Sequence, residues 1–179
     1  MARSPHDVTL RPLRDEDWPF LLALYASTRE EELAPVPWPA AQKAEFLRSQ
    51  FAAQRQHYDE HYADASREVV LVSGERAGRL YLDRRADEIR IVDIALIPAL
   101  RGQGVGTRLL TAVLEEAAQS GRDVRIHVET FNPAMRLYLR LGFEKLEERG
   151  VYWLMGWRPA PRGQQDGEQG TTDARDSER

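Results

Sequence analysis

The chain has 179 residues, 42% hydrophobic and 30% charged, enough for one well-filled core and too few for two. Its formal net charge is −4 without any basic block, so neither nucleic acid nor an anionic membrane is an expected partner. It has no cysteine, which removes disulfides, thiolate metal sites and a cysteine nucleophile.

In chain order, residues 9–13 read as a first strand. Residues 15–28 read as a helix in which Asp15 is the N-cap and Trp18, Leu21, Leu22 and Tyr25 share a face. The stretch 31–39, EELAPVPWP, carries three prolines and cannot be helical throughout. A longer helix follows over 41–62, carrying Phe46, Leu47, Phe51, Tyr58 and Tyr62. Strands at 69–73 and 79–83 flank the turn GERAG, and RRAD leads into a β-branched strand over 88–97. The helix 107–120 places Leu109, Leu110, Val113, Leu114 and Ala117 at helical spacing and stops at Gly121. A strand over 124–129, a helix over 133–141 and a closing strand pair, 143–148 and 151–157, complete the unit. From Arg158 onward there is no aromatic, Leu, Ile or Val, so 158–179 is expected to be a disordered polar tail. With 1–7 as a flexible N-terminus, the domain is expected to span 8–157. No apolar run approaches ~18 residues and MARSPHDVTL lacks an apolar signal core, so a cytoplasmic protein is expected.

The most informative stretch is Arg101-Gly102-Gln103-Gly104-Val105-Gly106, which joins the 88–97 strand to the 107–120 helix. A strand that turns through glycines into a helix leaves backbone N–H groups free at the positive end of the helix dipole, where an anion binds. Glycine suits such a loop because it accepts unusual φ angles and lets a phosphate approach the backbone. Arg101 and Arg108 would add countercharge at either end. A Walker loop is excluded, since the only lysines, Lys43 and Lys145, lie elsewhere. The dinucleotide pattern G-x-G-x-x-G also fails, because its last position would be Thr107 or Leu109.

What remains is Arg-x-x-Gly-x-Gly (Arg101, Gly104, Gly106) after a strand ending Leu96-Ile97-Pro98. It resembles the coenzyme A loop of the GNAT N-acetyltransferase superfamily. A second segment agrees: the run from Asn132 to Phe143 resembles the family pattern N-x-x-A-x-x-L-Y-x-x-x-G-F, with one residue fewer between Asn132 and Tyr138. The element order β-α-α-β-β-β-α-β-α-β-β is also the family's. The resemblance implies an α/β (α+β) fold with a mixed, mostly antiparallel central sheet of about seven strands and helices on both faces.

The same resemblance implies acetyl transfer from acetyl-CoA to an amine by direct attack. The strands 88–97 and 124–129 would splay apart around the pantetheine arm. Backbone around Ile94, Ala95 and Leu96 would pair with it and polarise the acetyl carbonyl. Backbone amides of Gly102, Gln103, Gly104, Val105, Gly106 and Thr107 would hold the pyrophosphate, with Asn132 a further contact. Tyr138 matches the family's tyrosine near the CoA sulfur; a phenol titrating near ~10 stays protonated at neutral pH and can supply the departing thiolate. A core aromatic is the competing reading of Tyr138. For the base, His127 occupies the position where branches such as ribosomal-protein N-terminal acetyltransferases carry a catalytic Glu. Glu129 shares its strand face, and Asp93 and Glu88 lie on the adjacent strand. A lysine amine is neutral in about one molecule in 2,500 at pH 7, whereas an α-amine near ~8 loses only ~1.4 kcal/mol to deprotonation.

The acceptor side would combine the first two helices with the last strand pair, where Glu31, Trp38 and Tyr152 offer charge and aromatic walls to a cationic amine. The expected partners are a small-molecule or peptide amine, with a homodimer left open. His57-Tyr58-Asp59-Glu60-His61 formally matches H-x-x-E-H, but lacks a third ligand and a protease-sized domain, so no metal is expected. Two other functions compete with catalysis by acetyl-CoA: a non-catalytic acyl-CoA sensor or regulatory module, and an N-acyltransferase using another acyl-CoA.

Overall fold

The structure, a computed structural model, describes residues 7–160, so most of the predicted tail and N-terminal arm lie outside the described residues. Seven strands form one sheet in the order β1-β2-β3-β4-β5-β7-β6. They are β1 Val8–Pro12, β2 Ser66–Val72, β3 Glu75–Arg84, β4 Glu88–Leu96, β5 Asp123–Glu129, β6 Glu144–Arg149 and β7 Tyr152–Trp157. Four helices accompany them: α1 Trp18–Leu33, α2 Ala40–His61, α3 Val105–Ser120 and α4 Met135–Arg140. Every neighbouring pair is antiparallel except β4 and β5, which α3 connects as a crossover. The fold is the mixed, mostly antiparallel sheet with helices that the sequence predicts.

Alternation along the strands divides the molecule into two faces. Leu80, Leu82, Ile89, Ile91, Val124 and Ile126 point to the side of α3 and join Val105, Leu109, Leu110, Val113 and Ala117 in one core. On the other side, Trp18 of α1 and Phe51 of α2 meet edge-on, and Tyr58 of α2 lies against Tyr81 of β3. No residue of α2 is fully buried, whereas α3 buries six.

Local differences from the sequence reading have physical reasons. The first helix starts at Trp18, not Asp15: residues Asp15–Asp17 form a 3-10 turn, and Asp15 makes no cap. The carboxylate that organises this turn is Asp17, which accepts from the Arg14 backbone amide at 2.9 Å. The helix also runs on to Leu33, so Glu31 is helical. The β2–β3 turn falls at Ser73 and Gly74, both at positive φ, and the rest of the GERAG segment, from Glu75 on, is strand. Gly78 within it is required by packing: a Cβ there would run into the backbone carbonyl oxygen of Ala95 on β4. The helix at 133–141 shortens to Met135–Arg140, because Asn132 Oδ1 accepts from the Ala134 amide at 2.9 Å and holds the preceding residues in a turn.

Candidate active site

The parallel pairing of β4 and β5 is short. It runs from Glu88 opposite Asp123 to Ile91 opposite Ile126 and stops, although both strands continue, β4 to Leu96 and β5 to Glu129. Past that point β4 is paired only on its β3 side. By alternation, half of its backbone groups from Val92 to Leu96 therefore face the opening toward β5. Ile94 and Ala95 lie on this segment. The Leu96 carbonyl is engaged by the Arg101 side chain, whose Nε donates to it at 3.0 Å.

At the end of the same strand, Gly102 and Gly104 adopt left-handed backbone, at φ of 70° and 83°. An added Cβ at either would meet nothing within 4 Å, so conformation rather than crowding demands glycine there, and the space above the loop is open. Gly104 is the N-cap of α3, and the first bond into its carbonyl comes from the Arg108 amide at 3.0 Å. The amides of Val105, Gly106 and Thr107 precede that bond and belong to the first turn, where helix N–H groups lack intrahelical acceptors. Val105 anchors the turn in the core, and a Cβ on Gly106 would touch only Leu137 and Leu96 at ordinary contact distance. This concave row of donors at the N-terminus of a 16-residue helix suits a phosphate. Arg101 is held at the loop by neutral acceptors, the Leu96 carbonyl and, through Nη2, Ser27 Oγ at 3.1 Å, so its positive charge is not cancelled there. Its role is to pin the loop to β4 and α1.

Tyr138 of α4 is 4% exposed and packs edge-on against Phe143 at 5.6 Å. Burial, and secondarily the charge of Asp93, push its phenol above the ordinary range, so it is fully protonated at neutral pH. His127 is exposed on β5, with Arg90 Nη1 3.4 Å from its Nδ1. Partial burial and the positive charges of Arg90 and Arg149 lower its pKa, against the opposing charges of Glu147 and Glu88. If Arg90 donates, the second nitrogen carries the ring proton, and His127 must release Arg90 to accept another. Glu129 reaches Arg29 of α1 at 3.5 Å and stands opposite Tyr152 in the β5–β7 ladder. The structure thus brings Glu129, Tyr152 and the end of α1 together. Trp38 instead packs edge-on against Phe46 at the start of α2, and Glu31 is exposed on α1. Asn132 spends its carbonyl oxygen on the α4 turn.

Sequence reasoning gave Asp93 no partner. A β-bulge in β4 explains why: Tyr81 stands opposite Asp93 and Leu82 opposite Ile91, leaving Val92 as the extra residue. Strict alternation would put Asp93 on the core face with Ile91. The bulge turns it to the α2 face, where Arg79 Nη2 lies 2.6 Å and Tyr58 Oη 2.7 Å from Oδ2. Arg79 also donates to Gln54 of α2 at 2.9 Å. No local signal in the sequence marks such a bulge.

The two histidines of the H-x-x-E-H stretch stack on one another at 4.3 Å, and His61 Nδ1 lies 3.0 Å from the His57 carbonyl oxygen. Among the described residues no group of three or more His, Cys, Asp or Glu is placed to hold a metal ion. No described helix is long and apolar enough to cross a membrane.

The chain belongs to the acetyltransferase (GNAT) family, whose model matches residues 18–143. Solved structures share its fold. The PaiA N-acetyltransferase of Thermoplasma acidophilum, in complex with coenzyme A, has a TM-score of 0.65 at 16% identity, over 85% of this chain and 99% of that one. The ribosomal-protein-S18-alanine N-acetyltransferase of Escherichia coli has a TM-score of 0.58 at 20% identity, covering 88% and 97%. Naa50 of Arabidopsis thaliana, in complex with the bisubstrate analogue CoA-Ac-MVNAL, has a TM-score of 0.56 at 19% identity, covering 84% and 98%.

Proposed function

We propose that this protein transfers an acetyl group from acetyl-CoA to a primary amine by direct attack. The observation that carries the reading is the end of the β4–β5 ladder at Ile91 and Ile126, on a strand that leads through a single 3-10 turn, Pro98–Leu100, into the glycine loop. An opened strand edge and an anion cradle then lie on one continuous segment, as a ligand with an amide-bearing arm and a pyrophosphate requires. The amides of residues 102–107 hold the pyrophosphate, and the backbone around Ile94, Ala95 and Leu96 takes the arm and polarises the thioester carbonyl. The family membership and the coenzyme A and bisubstrate complexes of its structural neighbours support that ligand and an amine acceptor, whether a small molecule or a peptide.

In the reaction the amine nitrogen attacks the acetyl carbon, the C–N bond forms and the C–S bond breaks. The amine's proton leaves to a base, and the sulfur takes a proton as it departs, giving the amide and free CoA thiol. Tyr138 is the proton donor in this reading. Its ordinary phenol pKa already exceeds that of a thiol by ~1.5, about 2 kcal/mol uphill, and burial adds to this. Its hydroxyl therefore donates a hydrogen bond to the sulfur first, and the proton follows as charge develops. His127 and Glu129 are the competing bases, with Glu31, Trp38 and Tyr152 bordering the acceptor. Incubation of the protein with acetyl-CoA and an amine library, read by free thiol release and by the mass of the N-acetyl product, tests the proposal. Tight CoA binding without turnover of any amine would point to a sensor, and faster turnover with another acyl-CoA would change the donor.

A further inference from the structure

Arg79 and Tyr81 of β3 face α2 and are closely enclosed, at 4% and 3% exposed. Each keeps one buried polar atom without a hydrogen-bond partner among the described residues, Nε of Arg79 and Oη of Tyr81. The Nη2 end of Arg79 is engaged, by Asp93 Oδ2 at 2.6 Å and by Gln54 Oε1 at 2.9 Å. Burial pushes the Tyr81 phenol up, and Arg79 stands close enough to oppose that shift without satisfying the hydroxyl. Buried polar groups are expensive to leave bare, and proteins give nearly all of them a partner.

Both side chains line one cavity of about 10 Å³ between the start of α1, α2 and the strands β2 and β3, room for a single water-sized particle. The walls narrow down what that particle is. Gln54 spends its oxygen on Arg79, so what it has left to offer is an N–H donor. Arg67 and Arg55 also border the cavity, and among the described residues no Asp or Glu does. Arg67 is balanced by Asp59 at 2.6 Å and Arg79 by Asp93, whereas Arg55 lies over the Trp18 ring at 3.8 Å and has no carboxylate partner among the described residues. One positive charge therefore remains over a wall of donors. A water here accepts from Arg79 and Tyr81 but must turn its own protons toward a wall that is otherwise aromatic or cationic. An anion accepts from every donor and has no proton to place.

We propose that this cavity is a halide site, holding one chloride ion that accepts hydrogen bonds from Arg79 Nε and Tyr81 Oη. The site is independent of the acetyl-transfer reading. Arg55 supplies the balancing charge, and a charge-assisted hydrogen bond to a guanidinium is stronger than one between neutral groups. Chloride is larger than water, and the exposed Arg55 side chain is the wall that moves to admit it. With the ion in place Arg79 is held from a second side, which steadies its contact with Gln54 and so the grip of α2 on the sheet.

The test compares the thermal unfolding midpoint in sodium chloride and in sodium gluconate at equal ionic strength, so that general screening is the same in both. The parent should unfold at a higher temperature in chloride, by a margin that grows with chloride concentration. Tyr81→Phe removes one donor and keeps the ring contact with Tyr58, and Arg55→Gln removes the unbalanced charge at the surface. Each should shrink the chloride margin by at least half. Crystals soaked in sodium bromide should show an anomalous peak within hydrogen-bonding distance of Arg79 Nε and Tyr81 Oη. Equal midpoints of the parent in the two salts would overturn the site, as would a chloride margin left unchanged in both variants. A bromide map without a peak there would overturn it too, and would give the cavity to water.

Discussion

Asp17 is 0% exposed, yet it is surrounded by donors: Arg11 Nη1 and Nη2 at 2.7 and 2.8 Å, Arg76 Nε at 2.7 Å and the Arg14 amide at 2.9 Å. Arg11 above all, with the Arg14 amide and Arg76, holds its carboxyl well below the usual range despite burial. A folded pKa below the unfolded value of ~3.9 means that the stabilisation is complete above about pH 4 and is lost as pH falls toward the folded pKa. Asp17→Asn should therefore cost about 2–4 kcal/mol at pH 7. Urea unfolding at pH 7 and at pH 3 should show the difference between variant and parent shrinking in acid; an equal difference at both would contradict the ion-pair account. For Tyr138, Phe substitution removes a hydroxyl and keeps the contact with Phe143. Turnover should fall on the order of 10²–10⁴-fold with CoA affinity preserved, and a loss under threefold would return Tyr138 to a packing role. His127 has a lowered pKa, so if it is the base the acidic limb of the pH–rate profile lies below ~6.5 and vanishes in His127→Ala. A limb that survives there but is lost in Glu129→Gln would move the role to Glu129.

At the scale of elements, the proposed pyrophosphate site is the loop of residues 101–107. Gly104→Glu forces a side chain into φ of 83° and sets a carboxylate over the open amides. Calorimetry should detect no CoA binding, and an unchanged affinity would exclude the loop as the anion site. This loop and α3 were legible in the sequence because their signals are local: glycine spacing, an apolar helical stripe and the stop at Gly121. The placement of Tyr138 on a helix before Gly142 and Phe143 was legible for the same reason. The start of α1 was not, because Asp17 rather than Asp15 found partners, and these include Arg76 of β3, 59 residues on, as well as the nearby Arg11 of β1. The pairing of Asp93 with Arg79 and Tyr58 was hidden by the bulge at Val92, which reverses the alternation from which its face would be inferred. The contacts of Arg101 were not legible for a related reason: its acceptors, Leu96 and Ser27, exist only once β4 and α1 are side by side.

The whole molecule is unevenly bound. One face of the sheet carries the continuous core with α3, whereas α2 on the other is held by α1, by aromatic edges and by the Tyr58–Asp93 and Gln54–Arg79 hydrogen bonds. Native-state hydrogen exchange should therefore show the α2 amides opening at least tenfold more often than those of Leu109 to Leu114 in α3. Equal protection in both helices would argue against this asymmetry. The sheet has two outer rims, β1 and β6. The β6 rim exposes every residue and carries charges of both signs at Glu144, Lys145, Glu147, Glu148 and Arg149, a composition that repels a foreign strand. The backbone row left open past Ile91 and Ile126 lies in the interior of the sheet instead, between two strands joined by α3. A slender amide-bearing molecule can thread it from the end, but a neighbouring polypeptide cannot lay itself alongside. The protein thus keeps hydrogen-bonding capacity exposed without offering a template for aggregation.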